Sequence, residues 1–196
     1  MDRVGRRNRL SWFRDYLPEG RLVLDASVLI NLLGCGAADQ IFSALSSPCL
    51  VEAKVFGEIS KHPIPGLCHV TELKKLELLG HIEQTRMTDA EYATFLGIVQ
   101  APLGQRLDSG ESATLVVAER RGLSVVVDEN KARSYVRNCM PRVAVISTLC
   151  LLISAAFRLK LSEGSLQEWI RAAKQNARMG VPKDERDLLA EVLNAN

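Results

Sequence analysis

The chain has 196 residues, 47% of them hydrophobic, and 25 Lys and Arg against 23 Asp and Glu give a net charge of +2. That apolar content excludes a wholly disordered chain, and the near balance of charge excludes nucleic-acid binding by bulk charge alone. No run approaches the roughly 20 apolar residues of a membrane-spanning helix, and five scattered cysteines without a Cys-x-x-Cys pair suit reduced thiols in a cytoplasmic protein.

Residues 1–20 read as an N-terminal extension. Arg3, Arg6, Arg7 and Arg9 make its start basic, Leu10, Phe13 and Leu17 have helical spacing, and Pro18-Glu19-Gly20 is a stop signal. Such an arm either packs on the body or touches phosphates. Leu22-Val23-Leu24-Asp25 is the first expected strand, apolar until it ends in acid, with Ser27 as the cap of the helix that follows. A second helix is expected from about Ala37 to Leu45, then a short strand Cys49-Leu50-Val51, then a helix from about Ala53 to Lys61 with Glu58 in its middle. Between Leu67 and Arg86 the leucines fit helix or strand equally.

Thr88 and Glu91 form a capping box for a helix through Val99, and Asp108 with Glu111 does the same for the next, which Gly122 terminates. Leu123 to Val127 is then a Val-rich run that ends in Asp128, the pattern of a strand buried on both faces of a parallel sheet. A helix from about Asn130 to Asn138 precedes a third apolar strand, Val143 to Ile146, which ends in Ser147-Thr148. From Leu149 onward the pattern is helical, with a capping box expected at Ser165 to Glu168 and a break at Gly180-Val181-Pro182. Short apolar strands alternating with helices give an α/β class with a mainly parallel sheet.

Ligands of open α/β sheets bind beyond the carboxyl ends of the strands. Asp25 and Asp128 both stand there, and in a parallel sheet they share one edge. Carboxylates brought together repel unless protons or cations compensate, and hard oxygen donors with open positions suit Mg²⁺ or Mn²⁺. Ions of that kind serve phosphodiester hydrolysis. Two further acids are candidates, each with a plain alternative. Glu111 is a first-turn acid, which capping alone explains. Glu58 interrupts an apolar helical segment, yet exposed acids are common on helices.

Taken together, Leu22-Val-Leu-Asp25-Ala-Ser27-Val-Leu-Ile30, Glu58 within a helix, Gly110-Glu111-Ser-Ala113 and Val127-Asp128-Glu129-x-x-Ala132-Arg133 resemble PIN-domain ribonucleases over about residues 21–150. This is the fold of the toxin half of many bacterial and archaeal toxin–antitoxin pairs. The end of the chain is similar to a bacterial branch that reads Gly-Thr-x-Gly where this chain has Ser147-Thr148-Leu149-Cys150. The resemblance implies a three-layer α/β/α sandwich over residues 21–150, with residues 151–196 as a helical extension packed on the same domain. It also implies a metal-dependent endoribonuclease in which Asp25, Glu58, Glu111 and Asp128 hold Mg²⁺ or Mn²⁺. Asp108 and Glu129 are adjacent acids. Ser27 would hold Asp25, Thr148 would support Asp128, and Arg133 would meet a phosphate or pair with an acid. An RNA substrate, a small antitoxin and a homodimer are the partners so implied.

Three rivals stand beside that reading. An aspartate-based phosphatase needs Asp-x-Asp, which Asp25-Ala26-Ser27 lacks, and a receiver domain needs a lysine where Ser147-Thr148 stands. The third is a PIN-like subunit that binds RNA or protein and cuts nothing; the presence of all four acids argues against it, and metal titration would separate the two.

Overall fold

Five parallel strands lie in the order β3-β2-β1-β4-β5: β1 (Leu22–Leu24), β2 (Cys49–Glu52), β3 (Ile82–Thr85), β4 (Ser124–Val126) and β5 (Val145–Ile146). The computed structural model describes residues 11–102, 104 and 106–195. Period-two alternation in the strands divides the core between the two faces of the sheet. Leu22, Leu24, Val51 and Val126 point to a layer formed by α1 (Ala26–Gly34), α8 (Thr148–Arg158) and α9 (Glu163–Ala177). Val23, Leu50, Val125 and Val127 point to the opposite layer of α5 (Asp89–Val99), α6 (Ser109–Arg121) and α7 (Asn130–Cys139). The result is an α/β sandwich with helices on both faces, as the resemblance implied, and the sheet that the sequence pattern made mainly parallel is parallel throughout.

The remaining elements are α2 (Ala38–Ser43), α3 (Ala53–Glu58), α4 (His69–Leu78), a 3₁₀ turn at Lys183–Glu185 and α10 (Arg186–Asn194). Leu151, Leu152, Trp169 and Val192 belong to the same apolar cluster as β1 and α1, so the C-terminal helices share the core of the sheet. Among the described residues, no helix is long and apolar enough to cross a membrane.

Several local expectations change. The ambiguous stretch resolves into α4 followed by β3, whose Ile82 pairs in register with Cys49. Helix α3 is shorter than expected and ends at Glu58, because Ile59 already has extended backbone. Residues 11–20 form no helix; Trp12 is buried and Phe13 packs edge-on against Phe157. The arginine-rich start, Arg3 to Arg9, lies outside the described residues. Ser162, not Ser165, caps α9, accepting from the Ser165 amide at 3.2 Å. Of the thiols, Cys68 and Cys139 are exposed, Cys35 and Cys49 are buried, and burial pushes both buried thiols up to about 12.

Candidate active site at the carboxyl edge

The strand order reverses between β1 and β4, and the crevice at that switch point is where open α/β sheets place their ligands. Register pairs Leu24 with Val126, so Asp25 and Asp128 emerge side by side. A cleft of about 540 Å³ opens there, lined by six acids: Asp25, Glu58, Asp108, Glu111, Asp128 and Glu129. All four acids that the resemblance implied share this cleft. The two adjacent acids given little weight from sequence, Asp108 and Glu129, line it as well.

Each side chain is aimed by local structure. Asp25 is itself the N-cap of α1, accepting from the Ser27 amide at 3.2 Å and from Ser27 Oγ at 2.6 Å. The expected cap and the capped residue are thus exchanged: Ser27 sits inside the helix and holds Asp25 from there. Asp128 is clamped on both oxygens. Oδ1 accepts from the Thr148 amide at 2.8 Å, and Oδ2 accepts from Thr148 Oγ1 at 2.6 Å and from Asn31 Nδ2 at 3.0 Å.

Glu111 occupies the third position of α6 in a capping box with Asp108, its Oε2 accepting from the Asp108 amide at 3.3 Å. The capping and cleft-lining roles therefore coexist in one residue. Glu58, at the end of α3, lays its carboxylate directly against Gly110. A Cβ at Gly110 would collide with both of its oxygens, so this close approach needs glycine.

The electrostatics of the four acids agree in sign. Burial raises Asp25 and Asp128 above the ordinary carboxylate range, despite the hydrogen bonds from Ser27 and Thr148 that pull the other way. Burial, then the charges of Asp108 and Asp25, raise Glu58. Glu111 is pushed up to about 7, by burial first and then by Asp108, Asp25 and Glu129. Acids gathered this way hold protons or call for cations.

By donor chemistry the set fits a hard divalent cation. By geometry it is open: among the described residues, no three His, Cys, Asp or Glu side chains converge tightly enough to form a ready-made metal site. Arg133 does not face the cleft. Its guanidinium donates to Glu185 Oε1 at 3.0 Å and lies 3.4 Å from Asp184, so of its two expected roles the structure shows the ion pair, with acids from the C-terminal segment. Ser147 Oγ also donates to Glu185 while accepting from the Cys150 amide at 3.0 Å. The chain thereby starts α8 without the glycines of the similar bacterial branch.

Two further residues that line the cleft, Asn31 and Arg178, were not singled out from sequence. Asn31 is the one polar residue in the apolar run Val28 to Leu33, and that interruption was a readable signal. Arg178 gave none, standing 50 residues from Asp128 at the end of a helix.

A three-layer α/β/α sandwich with a parallel sheet and an acid-lined cleft at its switch point defines the class of fold, and comparison with known families narrows it. The family model DUF3368, described as a PIN domain, matches residues 21–184, and the chain belongs to this family. PIN domains are generally nucleases that use divalent metal ions. Searches of curated proteins and of solved structures each found no significant match.

Proposed function

We propose that this protein is a metal-dependent endoribonuclease. The observation that carries the reading is the convergence of Asp25, Glu58, Glu111 and Asp128 on one cleft, all four with raised carboxyl pKa values. Together they would hold one or two Mg²⁺ or Mn²⁺ ions. A bound ion of that kind supplies Lewis-acid stabilisation of a phosphodiester and lowers the pKa of water. The protein's own part is to fix the donors. Ser27 orients Asp25, Thr148 and Asn31 orient Asp128, and Gly110 leaves room for Glu58. No His, Ser or Cys is needed as a nucleophile.

A role as the toxin of a toxin–antitoxin pair, with a small antitoxin masking the cleft, and a homodimer are parts of this proposal, and all rest on the family resemblance. The test is cleavage of labelled RNA with Mg²⁺ or Mn²⁺, with and without a chelator, by wild type, Asp25→Asn and Asp128→Asn. Cleavage that needs the metal and fails in both variants supports the reading. Metal-independent cleavage, or full activity in both variants, sinks it.

One observation favours a second reading. The acids do not close into a chelating group as they stand, which suits a subunit that binds RNA or protein and cuts nothing. RNA binding by wild type without metal-dependent cleavage would favour that alternative.

A further inference from the structure

The acid-lined cleft has one basic side chain among the described residues on its wall, Arg178, and that residue is placed by unusual means. It caps the C-terminus of α9 in the left-handed conformation, at φ 58° and ψ 36°, where glycine is the ordinary choice. Among the described residues, only Lys160 shares a positive φ without being glycine. Two anchors fix the turn. Before it, Ala177 packs so closely on Gly34 of α1 that a Cβ at Gly34 would fall 2.7 Å from the Ala177 Cβ, and Asn176 Nδ2 donates to the Gly34 carbonyl at 2.9 Å. After it, the chain crosses to the Arg133–Glu185 pair.

Arg178 is exposed, and among the described residues it forms no ion pair, although six carboxylates line the same cleft. A cation kept at the wall of such a cleft, and not spent on its acids, is available to an anion arriving from solvent. RNA is such an anion, and an acidic cleft repels every phosphate that the metal does not neutralise. The guanidinium offers a planar fork that matches a phosphate in bidentate fashion. Resting on the ribonuclease reading, we propose that Arg178 binds a backbone phosphate next to the scissile one, so that the C-terminal segment supplies substrate affinity while the sheet edge supplies the acids.

The test is fluorescence anisotropy with a short labelled single-stranded RNA in Mg²⁺, using an Asp128→Asn background so that the strand stays intact. Steady-state cleavage by the otherwise native enzyme runs alongside. Arg178→Gly suits the backbone, so its melting temperature should equal or exceed that of the parent. Its Kd should rise about tenfold, and the slope of log Kd against log salt should shrink by about 0.7, the loss of one phosphate contact. In cleavage, KM should rise with kcat little changed. Arg178→Gln should lose affinity equally, and Arg178→Lys should recover part of it. Lys160→Gly relieves the same backbone conformation away from the cleft and should leave Kd unchanged.

Wild-type affinity and salt slope in both Arg178→Gly and Arg178→Gln, with metal-dependent cleavage intact in the native enzyme, would overturn this inference alone. A native enzyme that neither binds nor cuts RNA would overturn the ribonuclease reading and this inference with it.

Discussion

Glu91 and Glu111 hold the same local position, the third residue of a helix in a complete capping box, and yet they are opposite in character. Glu91 meets Arg121, whose Nε lies 2.7 Å and Nη2 2.9 Å from its two oxygens, and this pair holds the Glu91 carboxyl at about 2. Glu111 has Asp108, Asp25 and Glu129 for neighbours and rises to about 7. One motif thus yields a structural ion pair on one helix and an uncompensated acid on the next. Capping fixes where the side chain starts; what stands across from it decides whether it stabilises the fold or waits for a cation.

The largest expected difference between the two is in activity. Glu111→Gln should lower metal-dependent RNA cleavage at least about 100-fold, as loss of a charged group at the reacting centre does, whereas Glu91→Gln should stay within about twofold. Instead, Glu91→Gln should cost about 2 kcal/mol of stability by leaving Arg121 without its charged partner. Parallel cleavage assays and urea unfolding check both. Equal loss of activity in the two variants would erase the distinction.

Stability against pH separates the pair by sign. Glu91 titrates below its ordinary value, so its contribution is present above about pH 4.5 and is lost as pH falls toward 2. Glu111 titrates above its ordinary value of 4.5, so the folded state holds its proton more tightly. Its contribution is present below pH 4.5 and is lost as pH rises through about 7. In chelator, the protein should lose on the order of 3 kcal/mol through Glu111 across that window, and Asp25, Glu58 and Asp128 act in the same direction. Glu111→Gln should flatten the fall, and added Mn²⁺ should offset it. Unfolding measured from about pH 4 to pH 8 that showed no decline would contradict the raised values.

Two smaller effects concern the residues that aim the acids. Thr148→Val removes the 2.6 Å hydroxyl bond to Asp128 and keeps the amide bond at 2.8 Å, so Mn²⁺ affinity should weaken about tenfold, a usual cost of losing such support. Gly110→Ala should raise helix propensity by up to about 1 kcal/mol. It should also displace the flexible end of Glu58, so a melting temperature held or raised beside weakened Mn²⁺ binding is the expected signature.

How much of this was legible in sequence follows the same division between local and non-local causes. Asp25 and Asp128 stood out because an apolar strand ending in acid is a local pattern with one structural meaning in a parallel sheet. The capping boxes at Thr88 and Asp108 were equally local and formed as read. Strand β3 stayed hidden because only Ile82 of its residues is fully buried, which leaves no alternation to detect. Glu58 was placed on a longer helix than exists, and its nearness to Gly110 depends on how α3 packs on α6. Arg133 had two readings until Asp184 and Glu185 came to meet it from the far end of the chain. Arg178 lacked any local mark, since a left-handed arginine is set by the packing of α9 on α1.

The central claim is that the four acids form a cation site, and calorimetric titration of Mn²⁺ near pH 7 tests it most directly, with wild type beside Asp25→Asn and Glu111→Gln. The expected result is binding by wild type with release of protons to the buffer, because Glu111 is partly protonated at that pH, and affinity weaker by at least about tenfold in each variant. Absence of binding by wild type, or equal affinity in all three proteins, would contradict it.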